Sequence, residues 1–193
     1  MTTRDRILGA ARKAFERRGL EGLSLRTVAA KVGITPMAIY RHFASKEALI
    51  DALVLDALEE WSARVAALPP VQGVAKVEQL GVAFLDFALR EPRRFEAAFL
   101  LPSRKARRYP DDFAAGRSPA GNVQLRALEE GVRNGQLAAI SPVEMMLINS
   151  ALSQGLVTLY RAGRIAGGEE EFRALYLRAI RRVFQSFMVE KSR

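Results

Sequence analysis

A chain of 193 residues with no cysteine and a single histidine excludes disulfides, thiolate chemistry and a histidine-rich metal centre, so no metal or cofactor is expected. With 49% apolar residues it has the material for a sizeable core, and its length suits a small domain beside a larger one. Of the net charge of +9, residues 1–50 carry +6, ten lysines and arginines against four acids, which suits a polyanion such as DNA or, more plainly, solubility.

Eight prolines punctuate the chain, each where a helical spacing of apolar residues begins or stops. No alternating strand pattern or Asn-Gly hairpin intervenes, so the expected fold is all-α. A first helix spans about 3–18, with Ile7, Leu8, Ala11 and Phe15 inward and Gly19 as its stop. Two short helices follow at about 25–32 and 36–42, parted by Gly33. Ser45 caps a long helix from Lys46 to about Ala67, ahead of Pro69-Pro70. Helices near 73–90 and 92–101 lead to a basic, turn-rich loop, PSRKARRYPDDFAAGRS, after which Ser118-Pro119 opens a helix to about 134. Ser141-Pro142-Val143-Glu144 has the form of a capping box and starts a helix to about Ala162. From Val143 to Tyr160 that helix is apolar on nearly every side, so more than one of its faces needs covering. The last helix, about 169–189, opens on three glutamates, favourable at the positive end of the helix dipole. It then carries a stripe of Phe172, Leu175, Tyr176, Ala179, Ile180, Val183, Phe184, Phe187 and Met188.

The most informative segment is SLRTVAAKVGITPMAIYRHFASKEAL, residues 24–49. A helix-turn-helix needs two short helices, a tight turn and a second helix with an exposed reading face. Val28, Ala29 and Val32 supply the inner face of the first helix, and Gly33 admits a backbone conformation that other residues resist. Thr35 is placed to cap the second helix, with Pro36 at its first position. At 100° per residue Ile39 and Phe43 point inward, Met37, Ala38 and Arg41 point away, and Tyr40 and His42 flank them. Ser24, Arg26 and Thr27 open the preceding helix, whose free amides favour phosphate, and Lys46 adds a cation just beyond the turn.

From Arg6 to Leu49 these residues resemble the tetracycline-repressor (TetR) family of regulators. The resemblance is carried by Ile7-Leu8, Ala10-Ala11, Phe15, Gly19, the run LSLRTVAAKVGI and the run IYRHFASKEAL. It implies a three-helix DNA-binding head, a long connecting helix and a helical effector and dimerisation domain, divided here as 1–46 and 47–193. It also implies that Pro36, Met37, Ala38 and Arg41 face bases and that Tyr40, His42 and Lys46 face phosphates, with Arg26 meeting a phosphate or, as in relatives that carry an arginine there, a base. The segment SQGLVTLYRAGR is similar to a helix that carries a His-Gly pair in many relatives, with Gln154 preceding Gly155 here. The partners implied are operator double-stranded DNA with a pseudo-palindrome, a second copy of the chain and a small-molecule effector. Such a dimer would set its reading helices about one DNA turn apart, ~34–36 Å, and an effector would favour a spacing that no longer fits.

Trp61, Phe84, Phe87, Phe95, Phe99, Met145 and Met146 are either core or the lining of a pocket for a small, largely apolar effector, oriented by Asn149, Gln154 or Tyr160. The arginines near Arg90–Arg94 leave an anionic ligand as the weaker option. Ala151, Gly155, Leu156, Phe172, Ile180, Phe184 and Phe187, on the last two long helices, are expected to complete a four-helix bundle with a second copy. The run Arg104-Lys105-Ala106-Arg107-Arg108 is open to three readings: a solvated loop, a grip on DNA, or a site for an acidic effector. His42 has no nucleophile or acid pattern near it, so no catalytic residue is named. The rival classes are an all-α enzyme and a DNA-binding module without an effector. With no apolar signal segment at the N-terminus and no run of ~18 apolar residues, the expected location is the cytoplasm, with no membrane partner.

Overall fold

The computed structural model describes residues 1–189. Thr2 starts helix α1 (Thr3–Arg18) with a reciprocal cap: its hydroxyl accepts the Asp5 N–H at 3.2 Å, and the Asp5 carboxylate accepts the Thr2 N–H at 2.8 Å. These bonds hold the Asp5 carboxyl below the ordinary carboxylate range. A 3₁₀ turn at Gly19–Gly22, which apolar spacing does not reveal, leads to α2 (Leu25–Val32) and α3 (Pro36–Tyr40). Ser24 and Thr35 cap these two helices through their hydroxyls, as their positions predict. Then come α4 (Lys46–Ala66), α5 (Gly73–Arg90), α6 (Pro92–Phe99), α7 (Asp111–Ala114), α8 (Pro119–Arg133), α9 (Pro142–Arg161) and α10 (Glu169–Phe187). The short α7 lies in the turn-rich segment where no helix is expected. Among the described residues the only β feature is a lone antiparallel bridge between Leu137 and Met188, so the all-α fold stands.

The chain divides into two compact units, residues 1–61 with 91–106, and residues 62–90 with those from 107 onward. This packing boundary differs from the motif-based division at 46/47. The physical reason is that α6 packs with α1 and is bonded to α4 at Asp56 and Glu60. In the first unit, α1 buries Ile7, Ala11, Ala14 and Phe15 against Val28, Ala29 and Val32 of α2. Arg6 ties the two helices together by donating to the Val32 carbonyl at 2.8 Å. Phe95 and Phe99 of α6 stack obliquely at 5.1 Å, and Trp61 of α4 meets Phe99 edge-on at 5.9 Å.

In the second unit, α5 packs on α8, α9 and α10, and α9 packs on α8 and α10. Their shared core includes Val77, Leu80, Leu85, Leu128, Met145, Met146, Val157, Tyr176 and Ile180. Tyr160 lies flat on Phe172 with ring centres 4.0 Å apart. Ser141 supplies the serine half of the expected capping box, accepting the Glu144 N–H at 3.5 Å.

Candidate nucleic-acid interface

Helix α3 is too short to hold itself in water, so its orientation is set by what it buries. Ile39 is fully buried and Phe43 nearly so, as the wheel predicts. Each such side chain contributes roughly 1.5–3 kcal/mol by leaving water, enough to fix the rotation of a helix of this length. Gly33, at φ +74°, makes the left-handed turn between α2 and α3, and its N–H closes the end of α2 on the Ala29 and Ala30 carbonyls. Arg4 of α1 lies over the Phe43 ring at 5.0 Å and pins the chain just past α3.

The opposite side of the segment is open. Met37 is 73% exposed and Tyr40 is 50% exposed, and Arg41, His42, Thr35 and Pro36 are exposed as well. Ala38 is half-buried rather than fully outward. α3 ends at Tyr40 rather than at 42, yet Arg41 keeps helical dihedrals and His42 donates to the Ile39 carbonyl at 2.8 Å. Both side chains therefore continue the rotation of the helix. Arg26, Thr27 and Lys46 are exposed, and the half-buried Ser24 is bonded to Thr27. The helix-turn-helix segment thus leaves a guanidinium, an imidazole, a phenol and an ammonium exposed, while Val28, Ala29, Val32, Ile39 and Phe43 are buried.

Residues 7–53 match the family described as bacterial regulatory proteins, tetR family. Residues 77–183 match the tetracyclin repressor-like C-terminal domain. The chain belongs to the tetR family. It is a helix-turn-helix transcriptional regulator, and the TetR-family resemblance of residues 6–49 extends through most of the chain. The HTH-type transcriptional regulator UidR of Escherichia coli K12 is 27% identical over 164 residues, 85% of this chain and 69% of UidR. In fold, the chain is similar to a protein of unknown function from Rhodococcus sp. RHA1, with a TM-score of 0.76 at 21% identity over 98% of this chain and 96% of that one. It is also similar to SmeT in a complex with triclosan, with a TM-score of 0.63 at 20% identity over 98% and 93% of the two chains.

The residues expected in a TetR-family effector pocket fall in both units. Trp61, Phe95 and Phe99 belong to the first, where they pack on one another. Phe84, Phe87, Met145, Met146, Asn149, Gln154 and Tyr160 belong to the second. There Phe87, Met145, Met146 and Asn149 are buried, while Phe84, Gln154 and Tyr160 are half-buried. Asn149 Oδ1 has no hydrogen-bond partner. The Tyr176 hydroxyl has none of acceptable geometry either, and burial pushes it up to about 12, with Ser153 pulling it back only in part. Tyr176 escaped the sequence reading because an aromatic in a core stripe looks purely apolar.

Two expectations need correcting. Phe172, Ile180, Phe184 and Phe187 are each at most 5% exposed in the single chain, so they are buried without a second copy. An uncovered apolar face lies on α9, where Leu147, Ile148, Ala151, Gly155 and Leu159 are exposed and Leu156 is half-buried. Arg94 is no free anion site: Glu60 accepts from its Nε at 2.7 Å and Asp56 accepts from its Nη1 at 2.9 Å. Burial opposes its charge, but these bonds outweigh the burial and hold the guanidinium above its ordinary range.

Among the described residues no group of three or more His, Asp or Glu is placed to hold a metal ion, and no helix is long and apolar enough to cross a membrane.

Proposed function

We propose that this TetR-family regulator is a homodimeric repressor in the cytoplasm that reads a pseudo-palindromic operator with α3. The observation that carries this reading is the division of residues 36–43 into a buried edge, Ile39 with Phe43, and an exposed edge of Met37, Tyr40 and Arg41. We assign base contacts to Pro36, Met37, Ala38 and Arg41, and phosphate contacts to Tyr40, His42, Lys46 and the start of α2 at Ser24, Arg26 and Thr27. DNA binding is assigned to residues 1–46, and effector binding and dimerisation to 47–193, of which 190–193 lie outside the described residues.

The dimer forms through α9, whose exposed Ile148, Ala151, Gly155 and Leu159 recur at helical spacing on one face. Nothing lies within 4 Å of where a Cβ on Gly155 would be, which leaves room for another helix to approach closely. The effector is a small, largely apolar molecule held in the second unit near Met145 and Met146. The unpartnered Asn149 Oδ1 and Tyr176 hydroxyl are the polar groups that orient it. SmeT, similar in fold, is found in a complex with triclosan, which supports a small-molecule effector for this chain. Release from DNA follows if the effector prefers the state whose reading helices no longer match the operator, and by no more than that preference.

Selection from random duplexes, followed by release with a chemically diverse compound set, tests the proposal. Enrichment of a two-fold symmetric sequence and release by apolar compounds are expected. Release only by strongly cationic or sugar-like compounds would overturn the effector reading while leaving the DNA reading intact.

A further inference from the structure

We propose that the turn Ser103–Lys105 is a second DNA-contacting element, bringing Arg104 and Lys105 to the phosphate backbone beside the phosphates reached by Lys46. The proposal rests on the DNA-binding reading above and extends it beyond the helix-turn-helix.

The basic run that starts here reads from sequence as a solvated loop or a grip. In the structure its first part is fastened to α4. Asp51 Oδ1 accepts both the Ser103 hydroxyl at 2.6 Å and the Arg104 N–H at 3.1 Å. The Lys105 N–H closes the turn on the Ser103 hydroxyl at 2.9 Å. One carboxylate therefore fixes the backbone of the turn and leaves both cationic side chains outside, exposed. Neither has a carboxylate within ion-pair distance among the described residues.

The place of attachment gives the turn its partner. Asp51 stands about 7.5 Å along α4 from Lys46, at 1.5 Å per residue. It shares a face with Glu47, one turn nearer the start of the helix. The Glu47 carboxyl is held below its ordinary range first by its own backbone N–H, then by the Ser45 hydroxyl, and also by the positive charges of Arg104 and Lys46. Both cations thus act on the same first turn of α4, the end that carries the phosphate-facing Lys46. An acidic small molecule is a poorer match, because both cations are exposed rather than enclosed, and single exposed charges bind weakly. A duplex supplies a row of phosphates, and each one neutralised releases counterions.

The test is fluorescence anisotropy of the full chain on its selected duplex across 50–300 mM salt, compared with Arg104→Ala/Lys105→Ala. The double variant is expected to bind at least about tenfold more weakly at 50 mM salt, evenly across operator sequences. Its log K against log salt slope should be shallower by about 0.9 for each phosphate that is no longer neutralised. Arg104→Lys/Lys105→Arg, which keeps both charges, should retain the original slope. An unchanged slope and affinity in the alanine variant, with its melting temperature unaltered, would overturn the proposal. Should the alanine variant fold poorly, hydroxyl-radical footprinting of the unsubstituted protein decides: backbone protection outside the grooves read by α3 is expected, and its absence overturns the proposal. If the unsubstituted protein enriches no duplex at all, the DNA-binding reading falls, and this element falls with it.

Discussion

Arg94 of α6 donates to Asp56 of α4 at 2.9 Å through one carboxylate oxygen, while the other oxygen of Asp56 pairs with Arg12 of α1. One carboxylate thus joins three helices of the unit that carries the reading surface, and Glu60 completes the enclosure of the Arg94 guanidinium. Only 8% of the Arg94 side chain is exposed, against 41% for Arg12. Removing a partner from a buried ion pair leaves an uncompensated charge, whereas losing a surface pair costs little.

Asp56→Ala is therefore expected to destabilise the protein by about 3 kcal/mol, the lower end of the range for buried pairs because Glu60 remains. Arg12→Ala should cost less than about 1 kcal/mol. Urea unfolding of the two variants checks this, and equal losses would mean that the network is no more than a surface contact.

Gly33→Ala isolates the backbone contribution of the turn. No atom lies within 4 Å of the added Cβ, so the change meets no clash, and only the φ of +74° resists it. A loss of about 1 kcal/mol is expected from thermal unfolding. A neutral or stabilising result would show that the turn relaxes out of the left-handed conformation.

The proposed dimer face on α9 and the α10 stripe should respond differently to charge. Ile148→Glu places a carboxylate on an exposed position of α9 and is expected to give a folded monomer by sedimentation. Phe184→Glu buries the charge in the core of the unit and should cost several kcal/mol, leaving little native protein. A folded, fully dimeric Ile148→Glu protein would place the interface off α9.

Tyr176 gives an alkaline signature. Its hydroxyl is raised to about 12 in the folded chain, above the value near 10 of an unfolded tyrosine. Between these values the unfolded chain has released a proton that the folded one keeps, so stability is full below about pH 10 and falls as pH rises toward 12. Tyr176→Phe should flatten this decline in denaturant midpoints measured from pH 9 to 11.5. An identical decline in both proteins would mean that Tyr176 titrates normally.

Much of this architecture is legible in the residues. Gly19 and Gly33 end α1 and α2, and the Ser/Thr–Pro pairs at 35–36, 118–119 and 141–142 open α3, α8 and α9, because each relieves a specific backbone problem. The inward turn of Ile39 and Phe43 follows from period alone. Periodicity does not say what covers a face, however. The α10 stripe is expected from its period to meet a second copy, yet Phe172, Tyr176, Ile180, Phe184 and Phe187 are buried in the single chain. The Arg94 enclosure is less visible still, because its partners Asp56 and Glu60 lie 38 and 34 positions away and only tertiary packing brings them together. The one hint is an arginine beside Phe95 in an otherwise apolar face of α6. The anchoring of Ser103 on Asp51 has no local signal at all.

In this regulator α3 is assigned to read sequence through Arg41 while Lys46 grips the backbone. Selection from random duplexes with the full chain and with its Arg41→Ala and Lys46→Ala variants separates the two roles. The unsubstituted protein should enrich a two-fold symmetric site, and Lys46→Ala should enrich the same site more weakly. Arg41→Ala should lose preference at specific positions, by about 1–3 kcal/mol for each base it no longer reads. An Arg41→Ala protein that enriches the unaltered site with undiminished preference would refute this division of roles.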